Sequence, residues 1–189
     1  MTKKHRGPRS RVETTGWIAL IVFLGYRIWP QGAAAIGVAS ANAPAPPIEL
    51  VSMSGQRITT DSLRGKVVLV NFWATWCPPC RYEMPGFQKV YDRYHAAGFT
   101  VVGISTDGDP GLVNRYLAEN GITYPIAMAS GDIVNAFGGA SVLPRSFLID
   151  RNGRIRNEVT GIFASVTLEQ AVRRLLADSV TREQPHGAE

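Results

Sequence analysis

The chain has 189 residues, 45% of them hydrophobic, enough for one domain with a sizeable core plus extensions. Its formal charge of +5 belongs to the N-terminus, where Lys3, Lys4, Arg6, Arg9, Arg11 and Arg27 are opposed only by Glu13 up to residue 45. The remainder is close to neutral, which argues against nucleic acid as a partner.

The chain opens with a basic segment, residues 1–15, followed by an apolar run from Gly16 to Tyr26 and then small residues ending in ASANA. This order is that of a secretory signal, with a cleavage point after Ala41 or Ala43. The uninterrupted run is too short to cross roughly 30 Å of hydrocarbon. Gly16 to Ala41 is long enough if Arg27 is tolerated at one edge or snorkels. Two readings of 16–41 therefore stay open beside a buried or merely disordered segment: an uncleaved membrane anchor with a cytoplasmic N-terminus, or a cleaved signal that leaves a soluble periplasmic protein. Either one sends the rest of the chain across the membrane. No cysteine lies near residues 30–45 to carry a lipid. The proline-rich stretch 42–47 reads as an extended linker, 48–178 as the folded domain, and 179–189 as a tail.

Within the domain, Val67 to Trp73 is β-branched and aromatic with almost no polarity, which predicts a central strand covered on both faces. Phe87, Val90, Tyr91 and Tyr94 then recur at helical spacing up to Gly98, with Pro85 expected to kink or interrupt the helix. FTVVGIS (99–105) is the next strand, and 109–121 a helix turning Leu112, Val113, Tyr116 and Leu117 inward. A short strand around YPIAMA and a brief helix in GDIVNAFGG follow. SFLIDRNGRIRNEVTG reads as a hairpin turned at Asn152-Gly153. A last amphipathic helix carries Leu168, Val172, Leu175 and Leu176. Early alternation of strand and helix with a late hairpin predicts an α/β architecture, a mixed sheet with helices on both faces.

The chain's two cysteines both lie in WCPPC, at the junction of the central strand and its helix. A structural staple, a metal site and redox chemistry are the three possible uses. A disulfide between Cys77 and Cys80 closes so small a loop that it restrains the unfolded chain little. A four-ligand metal site would need ligands from elsewhere, and of the only histidines, His5, His95 and His186, the first and last lie in the expected tails. Chemistry is favoured by the placement. Cys77 falls at the positive end of the helix, where unpaired N–H groups stabilise a thiolate, and Cys80 one turn on is placed to act as the resolving thiol. Pro78 and Pro79 suit a first helical turn but offer the sulfur no donors, a tendency toward the reducing end of the scale. No Gly-rich phosphate loop or ligand cluster is present, so neither cofactor nor metal is expected. Nothing in the pattern sets an oligomeric state.

NFWATWCPPC together with LPRSFLIDRNGRI resembles the thioredoxin-like family over roughly residues 45–178, in particular the membrane-anchored or exported bacterial thiol:disulfide oxidoreductases that serve cytochrome c maturation. The resemblance implies a thioredoxin-like sheet with an insertion, residues 107–140, before a cis-proline region. It places Pro144 opposite the dicysteine as that cis-proline, with the Leu143 backbone free to pair with an extended substrate. Arg145 stands where Thr or Ser is usual and offers either a charge for an acidic partner or a neighbouring thiol, or a solubilising surface charge. Glu83 matches an acid near the active site that would take the Cys80 proton if buried, its plainer use being a surface helix charge. Asn71 replaces the buried aspartate of cytoplasmic thioredoxins. Trp76 is expected to frame and screen the Cys77 thiol, and Trp73 to pack in the core or share that role.

The resemblance implies reduction of a client protein's disulfide, apocytochrome c being one candidate. A membrane thiol reductase would return electrons to Cys77 and Cys80, because the exported side is oxidising. An exported dithiol oxidase or isomerase, a peroxidase, and a membrane-tethered binding module with incidental cysteines are the alternatives.

Overall fold

All seven residues of Val67–Trp73 are buried, as a strand flanked by helices on both faces requires. The computed structural model describes residues 42–180. The basic segment 1–15, the anchor or signal 16–41 and residues 181–189 of the expected tail lie outside the described residues. Among the described residues no helix is long and apolar enough to cross a membrane. The elements in chain order are β1 (Glu49–Val51), β2 (Arg57–Thr59), α1 (Thr60–Leu63), β3 (Val67–Trp73), α2 (Pro78–Tyr94), β4 (Phe99–Ser105), α3 (Pro110–Asn120), β5 (Ile126–Met128), α4 (Gly131–Ala136), β6 (Arg145–Ile149), β7 (Ile155–Thr160) and α5 (Ser165–Val180).

The five-stranded sheet runs β5-β4-β3-β6-β7, with β3, β4 and β5 parallel and the β6–β7 hairpin antiparallel. Alternation along β3 divides the core between the two faces. Val67, Leu69 and Trp73 pack with Met84 and Phe87 of α2 and Leu168 and Val172 of α5. Val68, Val70 and Phe72 pack on the other face with Ile133, Phe137 and Phe147. Close approach of α5 to α2 depends on Gly86, where an added Cβ would lie 2.7 Å from Ser165 Cβ. The mixed sheet, the two long strands and the late hairpin agree with the sequence reading. Asp150 Oδ1 accepts from the Asn152 and Arg154 amides to hold the turn at Asn152-Gly153.

Several expectations are corrected. α2 continues through Pro85 without interruption, because the packing of Met84 and Phe87, both fully buried, outweighs one missing amide. On α3, Val113 and Tyr116 are buried but Leu112 is 47% exposed, so the inward stripe is narrower than its spacing implied. The 42–47 stretch is extended but docked rather than a free spacer. The Ala45 amide donates to Gly153 O, and the Ile155 amide donates to Ala43 O, each at 2.8 Å. The small β1–β2 ribbon, whose Leu50 and Ile58 help cover the second core, had no sequence signal strong enough to place it. Residues 107–140 hold α3, β5 and α4.

Candidate active site

Strand register brings four chain segments to one end of the sheet. Trp73 pairs with Ser105, Phe72 with Arg145, and Arg145 with Thr160. The residues just after β3, β4 and β7 and just before β6 therefore share an edge, and these segments contain Cys77, Asp107, Phe163 and Pro144.

Cys77 is the N-cap of α2 in extended conformation, and Pro78 and Pro79 occupy the first helical turn. Its Sγ accepts from the Cys80 amide at 3.3 Å and is bonded to Cys80 Sγ. In the dithiol form that sulfur atom would be the Cys77 thiolate, accepting the same amide at the positive end of the helix dipole. Cys77 is 3% exposed and Cys80 fully buried. Cys77 therefore keeps the slight access that Cys80 lacks.

Glu83 lies one turn beyond Cys80 on α2 and is buried at 4% exposure. Its Oε1 accepts from Asn71 Nδ2 and its Oε2 from the Phe163 amide, each at 2.9 Å. Asn71 Nδ2 also donates to Ser146 Oγ at 3.0 Å. Burial raises the Glu83 carboxyl from 4.5 to about 7, against the two hydrogen bonds, which favour the anion. A carboxyl poised there can accept or release a proton at neutral pH.

The Leu143–Pro144 peptide is cis. Pro144 is buried and its carbonyl accepts from the Gly161 amide at 2.8 Å. Among the described residues the Leu143 N–H and C=O have no backbone partner. One neighbour is engaged within the protein. Arg145 presents no free charge: its guanidinium donates to Glu158 Oε1 from Nε at 3.1 Å and from Nη2 at 2.6 Å, and to Gly139 O at 2.6 Å. It also lies 4.8 Å above the Phe147 ring. Trp76, next to Cys77, is 68% exposed, whereas Trp73 is wholly in the core.

Sequence reasoning did not single out Ser146, the Phe163 amide or Asp107. Asp107 follows β4 at the carboxyl end of two parallel strands, where open α/β sheets carry their sites, and that position was a usable signal. A backbone amide such as that of Phe163 leaves no trace in side-chain identity.

A family model described as Redoxin matches residues 40–172. The chain is 32% identical over 164 residues to the thiol-disulfide oxidoreductase ResA of Geobacillus thermodenitrificans, covering 86% of this chain and 93% of that protein. Against ResA of Bacillus subtilis the identity is 31% over 159 residues, covering 84% and 88%. A solved thiol:disulfide interchange protein of the thioredoxin family from Chlorobium tepidum superposes with a TM-score of 0.68 at 35% identity, covering 73% of this chain and 99% of that one.

Proposed function

The chain belongs to the redoxin family, as a thioredoxin-like thiol-disulfide oxidoreductase working through a Cys–Cys pair, and from that premise we propose that it reduces disulfides of extracytoplasmic client proteins. The reducing direction is supported by Pro78 and Pro79, which offer the Cys77 sulfur no amide donors. The observation that carries the exchange chemistry is Glu83, a buried carboxyl one turn from Cys80 whose proton is held to about pH 7. Such a group takes the Cys80 proton when that thiol must act and returns it when the pair is recharged.

In the proposed cycle the Cys77 thiolate attacks one sulfur of the client disulfide, and the other client sulfur leaves as a thiolate that takes up a proton. Cys80, deprotonated toward Glu83, then attacks Cys77 Sγ and expels the second client sulfur. Two electrons pass to the client, and the protein ends with the Cys77–Cys80 disulfide. An extended client segment pairs with the free N–H and C=O of Leu143 beside Pro144, while the exposed Trp76 indole contacts it. A membrane thiol reductase recharges the pair, and residues 16–41 act as anchor or leader delivering the domain to the periplasm. Residues 107–140, the insertion relative to minimal thioredoxins, contribute to the choice of client, with apocytochrome c as the first to test.

The test is the equilibrium constant of the Cys77–Cys80 pair, titrated against glutathione or dithiothreitol. A potential below about −220 mV is expected of a reductase, and a value near about −120 mV, that of a strong oxidant, would reverse the proposed direction.

A further inference from the structure

Three residues, Ala74 to Trp76, carry the chain from β3 to the Cys77 cap of α2. The first two helical positions are Pro78 and Pro79, which have no amide for a cap to engage. The cap itself is held by the Cys77 amide on Ala74 O at 3.2 Å and the Arg81 amide on Cys77 O at 3.1 Å, and the loop before it is held in addition from the end of β4. The Thr75 amide donates to Asp107 Oδ2 at 2.8 Å, and the Thr75 hydroxyl to Asp107 Oδ1 at 2.6 Å. Ser105 Oγ donates to the same Oδ2 at 2.7 Å and accepts from the Asp107 amide at 3.1 Å, which orients the carboxylate. The Thr106 amide adds a bond to Trp73 O at 2.9 Å.

Asp107 is 8% exposed, and the three donors to its carboxylate are all uncharged. Bonds to a buried carboxylate are about twice as strong as those between neutral groups. A carboxylate that served only its own turn would need Ser105 alone. Here both oxygens are taken by Thr75, which lies 32 residues earlier in the chain and two residues before Cys77.

We infer that Asp107 is a positioning residue for the nucleophile, gripping Thr75 so that Cys77 stays at the cap of α2 with its sulfur on the Cys80 amide. The inference rests on the reading of Cys77 as the attacking thiol. Freed from Asp107, the loop lets Cys77 leave the cap, the sulfur loses its amide donor, and the thiolate forms only at higher pH.

The test measures alkylation of the reduced full-length chain by iodoacetamide as a function of pH, with thermal unfolding as a check on folding. In Thr75→Val the shape and every charge are kept while the hydroxyl bond is lost. Its profile is expected to move to higher pH, with reaction at pH 7 slowed about fivefold, the worth of one ordinary hydrogen bond. Asp107→Ala is expected to move further the same way. Asp107→Asn can still accept from the Thr75 amide and Ser105 and can donate to the Thr75 hydroxyl, so its profile is expected to stay or to move to lower pH as an anion is removed. Folded Thr75→Val and Asp107→Ala proteins with the wild-type profile would overturn the inference, as would an Asp107→Asn profile as alkaline as that of Asp107→Ala. Persistence of the low-pH reaction in Cys77→Ser would instead overturn the assignment of the attacking thiol, and the positioning with it.

Discussion

The Phe163 amide donates to Glu83 Oε2 at 2.9 Å across 80 residues of chain. With Asn71 on the other oxygen, this bond joins α2, β3 and the turn after β7 around one carboxyl. Both donors favour the anion, yet burial outweighs them and the proton is held to about pH 7. The same turn begins α5 at Ser165, which rests against Gly86 on α2, so helix packing and the proton site share one set of contacts.

That balance predicts a pH dependence of stability. Glu83 loses its proton near 4.5 in the unfolded chain and near 7 in the folded one. Between those values the folded state binds more protons, so the contribution of this group is full below about pH 4.5 and is lost as pH rises through about 7. At about 1.4 kcal/mol per unit the loss is at most about 3 kcal/mol. Tyr124, whose phenol is held well above its ordinary range by burial first and then by the Glu83 charge, stays neutral throughout. Urea unfolding of the oxidised chain is expected to show wild type losing stability relative to Glu83→Gln between pH 4.5 and pH 8. A constant difference between the two proteins would mean that Glu83 ionises as readily folded as unfolded.

The order of attack is testable by trapping. Cys80→Ser is expected to accumulate a mixed disulfide between Cys77 and a protein disulfide such as that of insulin, and Cys77→Ser to form none. Glu83→Gln should leave the first attack within about twofold while slowing release of the reduced product by about tenfold or more, in line with the worth of a general base. Equal slowing of both steps would remove Glu83 from the proton path. Stopped-flow mixing with non-reducing electrophoresis separates the two steps.

Arg145 and Glu158 form a pair with side-chain exposures of 19% and 29%. Partial exposure discounts its Coulomb energy, but the bond to Gly139 O and the Phe147 contact add to it. Arg145→Ala is expected to destabilise the protein by about 1–2 kcal/mol in urea unfolding. Its exchange rate with a small disulfide should stay within about twofold of wild type. A large loss of exchange rate with stability intact would return Arg145 to the role of substrate contact that its position beside Pro144 first suggested.

Gly103 in the middle of β4 has no room for a methyl group. An added Cβ would lie 2.3 Å from Ile126 Cδ1, with Trp73 Nε1 at 3.3 Å and Tyr124 Cε2 at 3.4 Å. Ile126 can turn only into a packed core, so Gly103→Ala should cost about 1–3 kcal/mol. Ile126→Val removes the clashing atom, and the double variant should recover part of the loss. Simple additivity of the two single losses in a thermodynamic cycle would show that the clash is relieved elsewhere.

Much of the fold was legible because it is written in local spacing. Seven nearly unbroken β-branched and aromatic residues read as a strand buried on both faces, and Asn152-Gly153 is a strong hairpin signal in that setting. Gly98 and Gly121 end helical segments with positive φ, at 96° and 62°, where a side chain would be strained. The position of Cys77 at a helix start followed from the same spacing. Pro85 misled because a local rule about one amide was outweighed by the burial of its neighbours.

By itself the sequence determined that a dithiol stands at the end of a central strand, since strand, cap and helix are all set by residues within a few positions of one another. Only the tertiary structure decided what surrounds it. The Thr75 grip by Asp107, the Phe163 amide on Glu83 and the diversion of Arg145 to Glu158 join partners separated by 32, 80 and 13 residues. Such pairings depend on which strands lie side by side, and two of the partners that matter most, the Thr75 and Phe163 amides, belong to a backbone that every residue except proline shares.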